Sequence, residues 1–240
     1  TLALMVAVVG RRSWHLIVSM AISWILFYCL ILWDVAVNGA GIIWMFSLAD
    51  IVFSFFSLAI VQGVNKKMLV TWLATLLGVF VSFALCYAVI KLTGETYLNY
   101  EMGDYATQDT RGIFMAQALL GVLGAVMDEA TDIISSLYEL IQHKPEITVK
   151  ELLASGRTMG QEIMGPLINV LVLIFISEAL PETILYFRDN NTIATTFNFT
   201  MSLGATQSAV SAIGIVLTIV FASLCSLLFL KKPQKGGKQE

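Results

Sequence analysis

SAVSAIGIVLTIVFASLCSLLFL, Ser208 to Leu230, carries no charged residue along its whole length and is closed by Lys231-Lys232. A bilayer core of about 30 Å needs about 20 consecutive apolar residues in a helix rising about 1.5 Å per residue, so this stretch reads as a membrane-spanning helix. Working back toward the amino end, five more windows pass the same test: Trp14 to Trp33, Gly39 to Val61, Met68 to Leu92, Ile113 to Ile141 and Ile163 to Phe187. Thr1 to Val9 is apolar but too short to cross alone. Arg11-Arg12 follow it rather than precede it, the wrong order for a signal peptide, and it reads as a first span missing its beginning. The expected fold class is all-α, a polytopic transmembrane helix bundle with six full spans plus a partial first one, about seven in all.

Composition agrees. Hydrophobic residues make up 58% of the 240 and charged residues only 13%, with a mean hydropathy of +0.81, whereas a soluble domain is about a quarter charged. Apolar runs leave no room for a separate soluble domain, so residues 1–230 read as one transmembrane helical domain and residues 231–240 as a disordered tail. Cys29, Cys86 and Cys225 fall singly inside apolar runs, without metal-ligand spacing. No Gly-rich phosphate loop, Ser/His pair or basic patch with aromatic platforms is present, which argues against a cofactor, a nucleic-acid partner and an enzyme.

Lysine and arginine near helix ends are retained on the cytoplasmic side, and here they cluster. Arg11-Arg12, Lys66-Lys67, the connection from Lys144 to Arg157 and the tail hold two, two, three and four of the 14 basic residues, leaving Lys91, Arg111 and Arg188 for the opposite face. The carboxyl terminus is expected in the cytoplasm and the acidic, tyrosine-bearing segment Glu95 to Asp109 outside. In the helical connection at about 144–160, Thr148 and Glu151 have capping-box spacing, in which each side chain satisfies an amide at the helix start; a short cytoplasmic helix is expected there.

Ionised side chains cost about 2.5 kcal/mol or more at the bilayer centre, so acids inside the spans mark candidate sites for ions or substrates. Asp50 lies about 17 Å into its window, and Ser47, Asp50, Ser54 and Ser57 recur at helical steps as one polar stripe. Gly121, Gly124, Asp128, Asp132, Ser135 and Glu139 form a second stripe, with Glu129 beside it. Asn169, entering from the other direction, reaches a depth comparable to that of Asp128. No lysine or arginine lies in the middle of any span, so crowded carboxylates there cannot all be ionised: they stay protonated, reach water or bind a cation. Oxygen ligands suit protons or hard cations, and no particular metal is indicated. The plainer alternatives remain open: Asp50 as a protonated link between helices, and the second stripe as hydrated acids on a helix leaving the membrane early.

Two segments, GVLGAVMDEATDIISSLYEL (Gly121 to Leu140) and ELLASGRTMGQEIMGPLINVLVLIF (Glu151 to Phe175), closely resemble the YibE/F-like membrane proteins, with a looser hydropathy match over nearly the whole chain. The resemblance falls on Gly124, Asp128, Glu139, Gly156, Gly160 and Asn169. It implies a multi-pass protein of the bacterial inner membrane with a permease or efflux role and no defined substrate. The family pattern has an apolar residue where this chain has Glu129 and a small polar one at Asp132. It carries Arg followed by an acid where this chain has Gln161-Glu162, while Arg157 lies one turn earlier.

Three function classes follow. In a permease or efflux subunit, the acids couple movement of a small solute or ion to protons or cations. In a scaffold, the polar stripes and the glycines Gly121, Gly124, Gly156 and Gly160 are helix-packing surfaces, within the chain or toward a second copy or a sibling membrane protein. In an intramembrane aspartyl protease, Asp50 and Asp128 would share a proton, but the Gly-x-Gly-Asp arrangement of such proteases is missing here.

Overall fold

A computed structural model describes residues 13–37, 41–94, 98, 100 and 110–230. Six helices contain nearly all of them: α1 (Ser13–Val37), α2 (Ile42–Gln62), α3 (Lys66–Thr93), α4 (Thr110–His143), α5 (Val149–Arg188) and α6 (Ile193–Leu230). No strand occurs among the described residues. Five of the helices, α2 to α6, are long and apolar enough to cross a membrane, while α1 carries a shorter apolar stretch, Ile17–Trp33. Among the described residues, five candidates and one shorter stretch stand where six full spans were expected; Thr1 to Val9 and the tail 231–240 lie outside the described residues.

Local chemistry explains the boundaries. Gly63 takes φ 73°, a left-handed geometry that only glycine adopts without strain, and its amide donates to the Ala59 carbonyl, closing α2 before α3 starts at Lys66. The capping box forms as expected. The Thr148 hydroxyl accepts from the Glu151 amide at 3.2 Å, and the Glu151 carboxylate accepts from the Thr148 amide at 2.9 Å. The helix that it starts is not a short separate one, however. It runs 40 residues to Arg188, about 60 Å, because the apolar window continues it. Pro166, expected to open a span, lies inside this helix, as does Pro181.

The last helix is the hub. Helix α6 lies along α3, α4 and α5; α2 packs on the other side of α4, and α1 lies outermost against α2. Small residues let the hub approach. A methyl group on Gly160 would come within 2.6 Å of Ile219, and one on Gly78 or Gly214 would press on Val126. Two features break the regular ladder of α6: π-helical turns at Phe197–Met201 and Ser226–Leu230. The most apolar window of α5 is only 6% buried within the chain, so its greasy surface faces outward.

The core is divided. One apolar cluster gathers Phe114, Leu119, Val122 and Val126 of α4 with Val79 and Val210; the other gathers Ile133, Ile134 and Leu137 with Ala74, Leu152 and Ala222. On α4 the break between them falls just after Val126, and Glu129 occupies it.

Candidate intramembrane carboxylate site

Helix α4 is two-faced. Leu119, Val122, Val126, Glu129, Ile133 and Leu137, spaced three or four apart, are all buried, whereas Gly124, Asp128, Asp132 and Glu139 are exposed on the other side. The adjacent acids Asp128 and Glu129 differ by about 100° around the axis and therefore end in opposite surroundings. Glu129 is fully buried, and neither of its carboxyl oxygens has a hydrogen-bond partner. Asp50 on α2 is in the same condition. Buried polar groups are almost always paired, so two bare carboxyl groups in one bundle call for a ligand, a proton acceptor or water.

The surroundings of Glu129 are set by contacts one turn away. Gly78 of α3 sits against Val126 and the Thr218 side chain. One turn from that point toward the Lys66 end lie Glu129 on α4 and Thr75 on α3. Thr71, Thr75, Ser82 and Thr218 are all fully buried. Each donates its hydroxyl proton to a carbonyl of its own helix, at 3.0, 2.9, 2.9 and 2.7 Å respectively. Their donors are spent, but each oxygen keeps acceptor capacity. These hydroxyl oxygens form a buried polar stripe along α3 and α6, with Thr75 the one nearest the level of Glu129, and such a stripe beside a carboxyl group can take a proton or a desolvated cation. Among the described residues, no group of three or more His, Cys, Asp or Glu is gathered to hold a metal ion.

Asp50 has its own setting. The Ser54 hydroxyl donates to the Asp50 carbonyl at 2.6 Å and accepts from the Trp72 indole at 3.1 Å, which ties α2 to α3 beside the acid. Gln62 donates to the Thr131 hydroxyl at 3.3 Å, while Ile42 and Phe46 cluster with Phe114 and Met115. Helices α2 and α4 therefore run parallel. Counting back from the Gln62–Thr131 pair puts Asp50 level with Leu119, about 15 Å from Glu129 along the bundle. The two buried acids occupy different depths, and Asp50 and Asp128, about 13 Å apart by the same count, do not form a proton-sharing pair.

The other candidates fall as follows. Asp128, Asp132, Glu139 and Asn169 are exposed. Gly156 packs by Leu137, which levels Asp128 with Gly165, one turn from Asn169; the expected equal depth is nearly met, but no shared buried site results because both face outward. Gly121 packs on Gln207, Gly156 on Ser223 and Gly160 on Ile219, each a contact with α6. Gly124 differs from them: among the described residues a side chain there would meet nothing within 4 Å. The set Thr71, Thr75, Gly78 and Ser82 was not singled out by sequence reading, although its four, three and four residue spacing on an apolar helix is a visible stripe.

A bundle of apolar helices enclosing isolated carboxyl groups defines a polytopic membrane protein. The chain belongs to the YibE/F-like protein family, whose profile matches residues 1–232. No curated protein and no solved structure matches it.

Proposed function

We propose that this chain is a multi-pass permease or efflux subunit of the bacterial inner membrane in which Glu129, and at a separate depth Asp50, bind a proton or cation that drives movement of a small solute. The observation that carries this reading is the fully buried, unpartnered Glu129 carboxyl in the gap between two apolar clusters. A charged carboxylate at the centre of a bilayer costs about 2.5–3.5 kcal/mol, and nothing in the packing offsets it. A residue with only a packing role at this position would be apolar. Asp128 and Asp132, exposed and one helical turn or less away in sequence, give protons or cations an approach from the polar end of α4. The weight therefore moves from Asp128 to its neighbour.

Proteoliposomes carrying an internal pH dye test it. Wild-type protein should collapse an imposed pH or cation gradient. Glu129→Gln, which keeps shape and removes the titrating group, should lose this flux at unchanged membrane abundance. Asp128→Asn should only slow it. A Glu129→Gln variant with full flux would remove the coupling role.

A second reading has its own observation. The polar stripe Gly124, Asp128 and Asp132 is exposed at a depth where α6 is apolar, and Gly124 has open space before it. A non-transporting scaffold that pairs this face with a sibling membrane protein would use it so. Monomeric protein that still conducts in liposomes would defeat that reading.

A further inference from the structure

A groove of about 420 Å³ runs between α5 and α6, toward the end of the bundle where α3 and α5 begin. Its α6 wall is greasy, with Val216, Val220 and Leu224; its α5 wall offers Leu153, Arg157 and Gln161. Gly156 packed on Ser223 fixes the register, so Arg157 lies about two turns inside Leu230, beside the apolar end of α6. Arg157 is exposed and has no ion-pair or hydrogen-bond partner among the described residues. A permanent cation at that depth is costly without an anion. Lys66, Lys67, Lys144 and Lys150 stand at the same end among the acids Glu139, Glu146, Glu151 and Glu162, with Lys67 over the Tyr138 ring and Lys144 paired to Glu151 at 3.3 Å, so the attraction for an anion at the groove rests on Arg157, the one charged side chain lining it.

An apolar trough with one guanidinium and one amide at its mouth matches one chemistry, an acyl chain attached to a phosphate. We propose that the groove binds an anionic phospholipid, with its phosphate on Arg157 and Gln161 and an acyl chain along Val216, Val220 and Leu224. The guanidinium fork suits phosphate oxygens, and the long arginine stem reaches from the groove wall to the headgroup level. Basic pockets between transmembrane helices at the positive end are recurrent sites for such headgroups. The proposal is independent of whether the chain transports anything.

The test titrates purified full-length protein in mixed micelles with phosphatidylglycerol or phosphatidylcholine and follows the thermal midpoint. Phosphatidylglycerol should raise the midpoint and phosphatidylcholine should not. Arg157→Gln should weaken the effect about fivefold, and Arg188→Gln, at the opposite end of α5, should leave it unchanged. Val220→Trp, which fills the groove without altering charge, should weaken it too and serves if Arg157→Gln does not fold. Equal effects of the two lipids, or an undiminished preference in either groove variant, would overturn the proposal. Inorganic phosphate alone matching phosphatidylglycerol would overturn the lipid assignment.

Discussion

At Gly160 the hydrogen is the side chain that fits. A methyl group there would lie 2.6 Å from two Ile219 carbons, and those carbons are next to the Ile219 backbone and have little room to give. Gly124, on the outer face of α4, would receive the same methyl into open space. Gly160→Ala should therefore destabilise the bundle by about 1–3 kcal/mol through overpacking, whereas Gly124→Ala should stabilise α4 by about 0.5–1 kcal/mol through reduced backbone freedom. Thermal unfolding in one detergent checks both, and equal midpoints for the two variants would show that α5 and α6 do not meet as described. The pattern of small residues was legible in the sequence for both glycines. Which one meets another helix was not, because that depends on how α4 and α5 rotate against α6. The same rotation separates Asp128 from Glu129. Extending the apolar repeat Leu119, Val122, Val126 by one more step lands on Glu129, so a phase argument could have found the buried acid, whereas grouping the carboxylates by number favoured its neighbour.

Among the elements, α5 shows what local signals can and cannot say. Its start was readable from Thr148 and Glu151, because a capping box depends on residues three apart and needs no tertiary partner. Its continuation was not, since the polar turns around Arg157, Gln161 and Glu162 look like a surface connection until Gly156 and Gly160 are seen against α6. The cap also carries a pH dependence. The Thr148 amide, the Thr148 hydroxyl and Lys144 favour the ionised Glu151 and hold its pKa below the ordinary glutamate value. A carboxylate with a lowered folded-state pKa contributes its stabilisation above the unfolded value and loses it as pH falls through the folded one. Amide-exchange protection at the start of α5 should therefore decline, relative to the rest of the helix, as the medium is acidified below the ordinary glutamate range. Glu151→Gln should flatten that decline, and Thr148→Ala should lower protection at every pH by about 1 kcal/mol. Protection that follows pH identically in wild type and Glu151→Gln would mean the carboxylate is not the group that titrates.

On the scale of the whole molecule, the membrane class was legible from uninterrupted apolar runs alone, and the arrangement of helices was not, since the stripe Gln207, Ser211, Gly214 and Thr218 marks a packing face on α6 without naming the helices that it meets. What the packing adds is a common end: the start of α3, the end of α4, the start of α5 and the end of α6 come together. Lys67 meets Tyr138, and Gly156 meets both Leu137 and Ser223. That end is the lysine-rich one, and the asymmetry of basic residues predicts that it faces the cytoplasm. On that prediction the connection from α5 to α6, with Asp189, Asn190 and Asn191, is expected on the opposite side. In a cysteine-free background, Glu146→Cys and Lys235→Cys should react with an impermeant thiol reagent only after intact cells are opened, and Asn190→Cys should react before. The tail test is independent of the packing, because Lys235 lies beyond the described residues, whereas Glu146 and Asn190 sit at opposite ends of α5. A helix of 40 residues is long enough to separate them by a full bilayer. Labelling of Glu146→Cys and Asn190→Cys from the same side would mean that α5 does not cross, and that its 40 residues with their outward apolar surface lie along the membrane instead of through it.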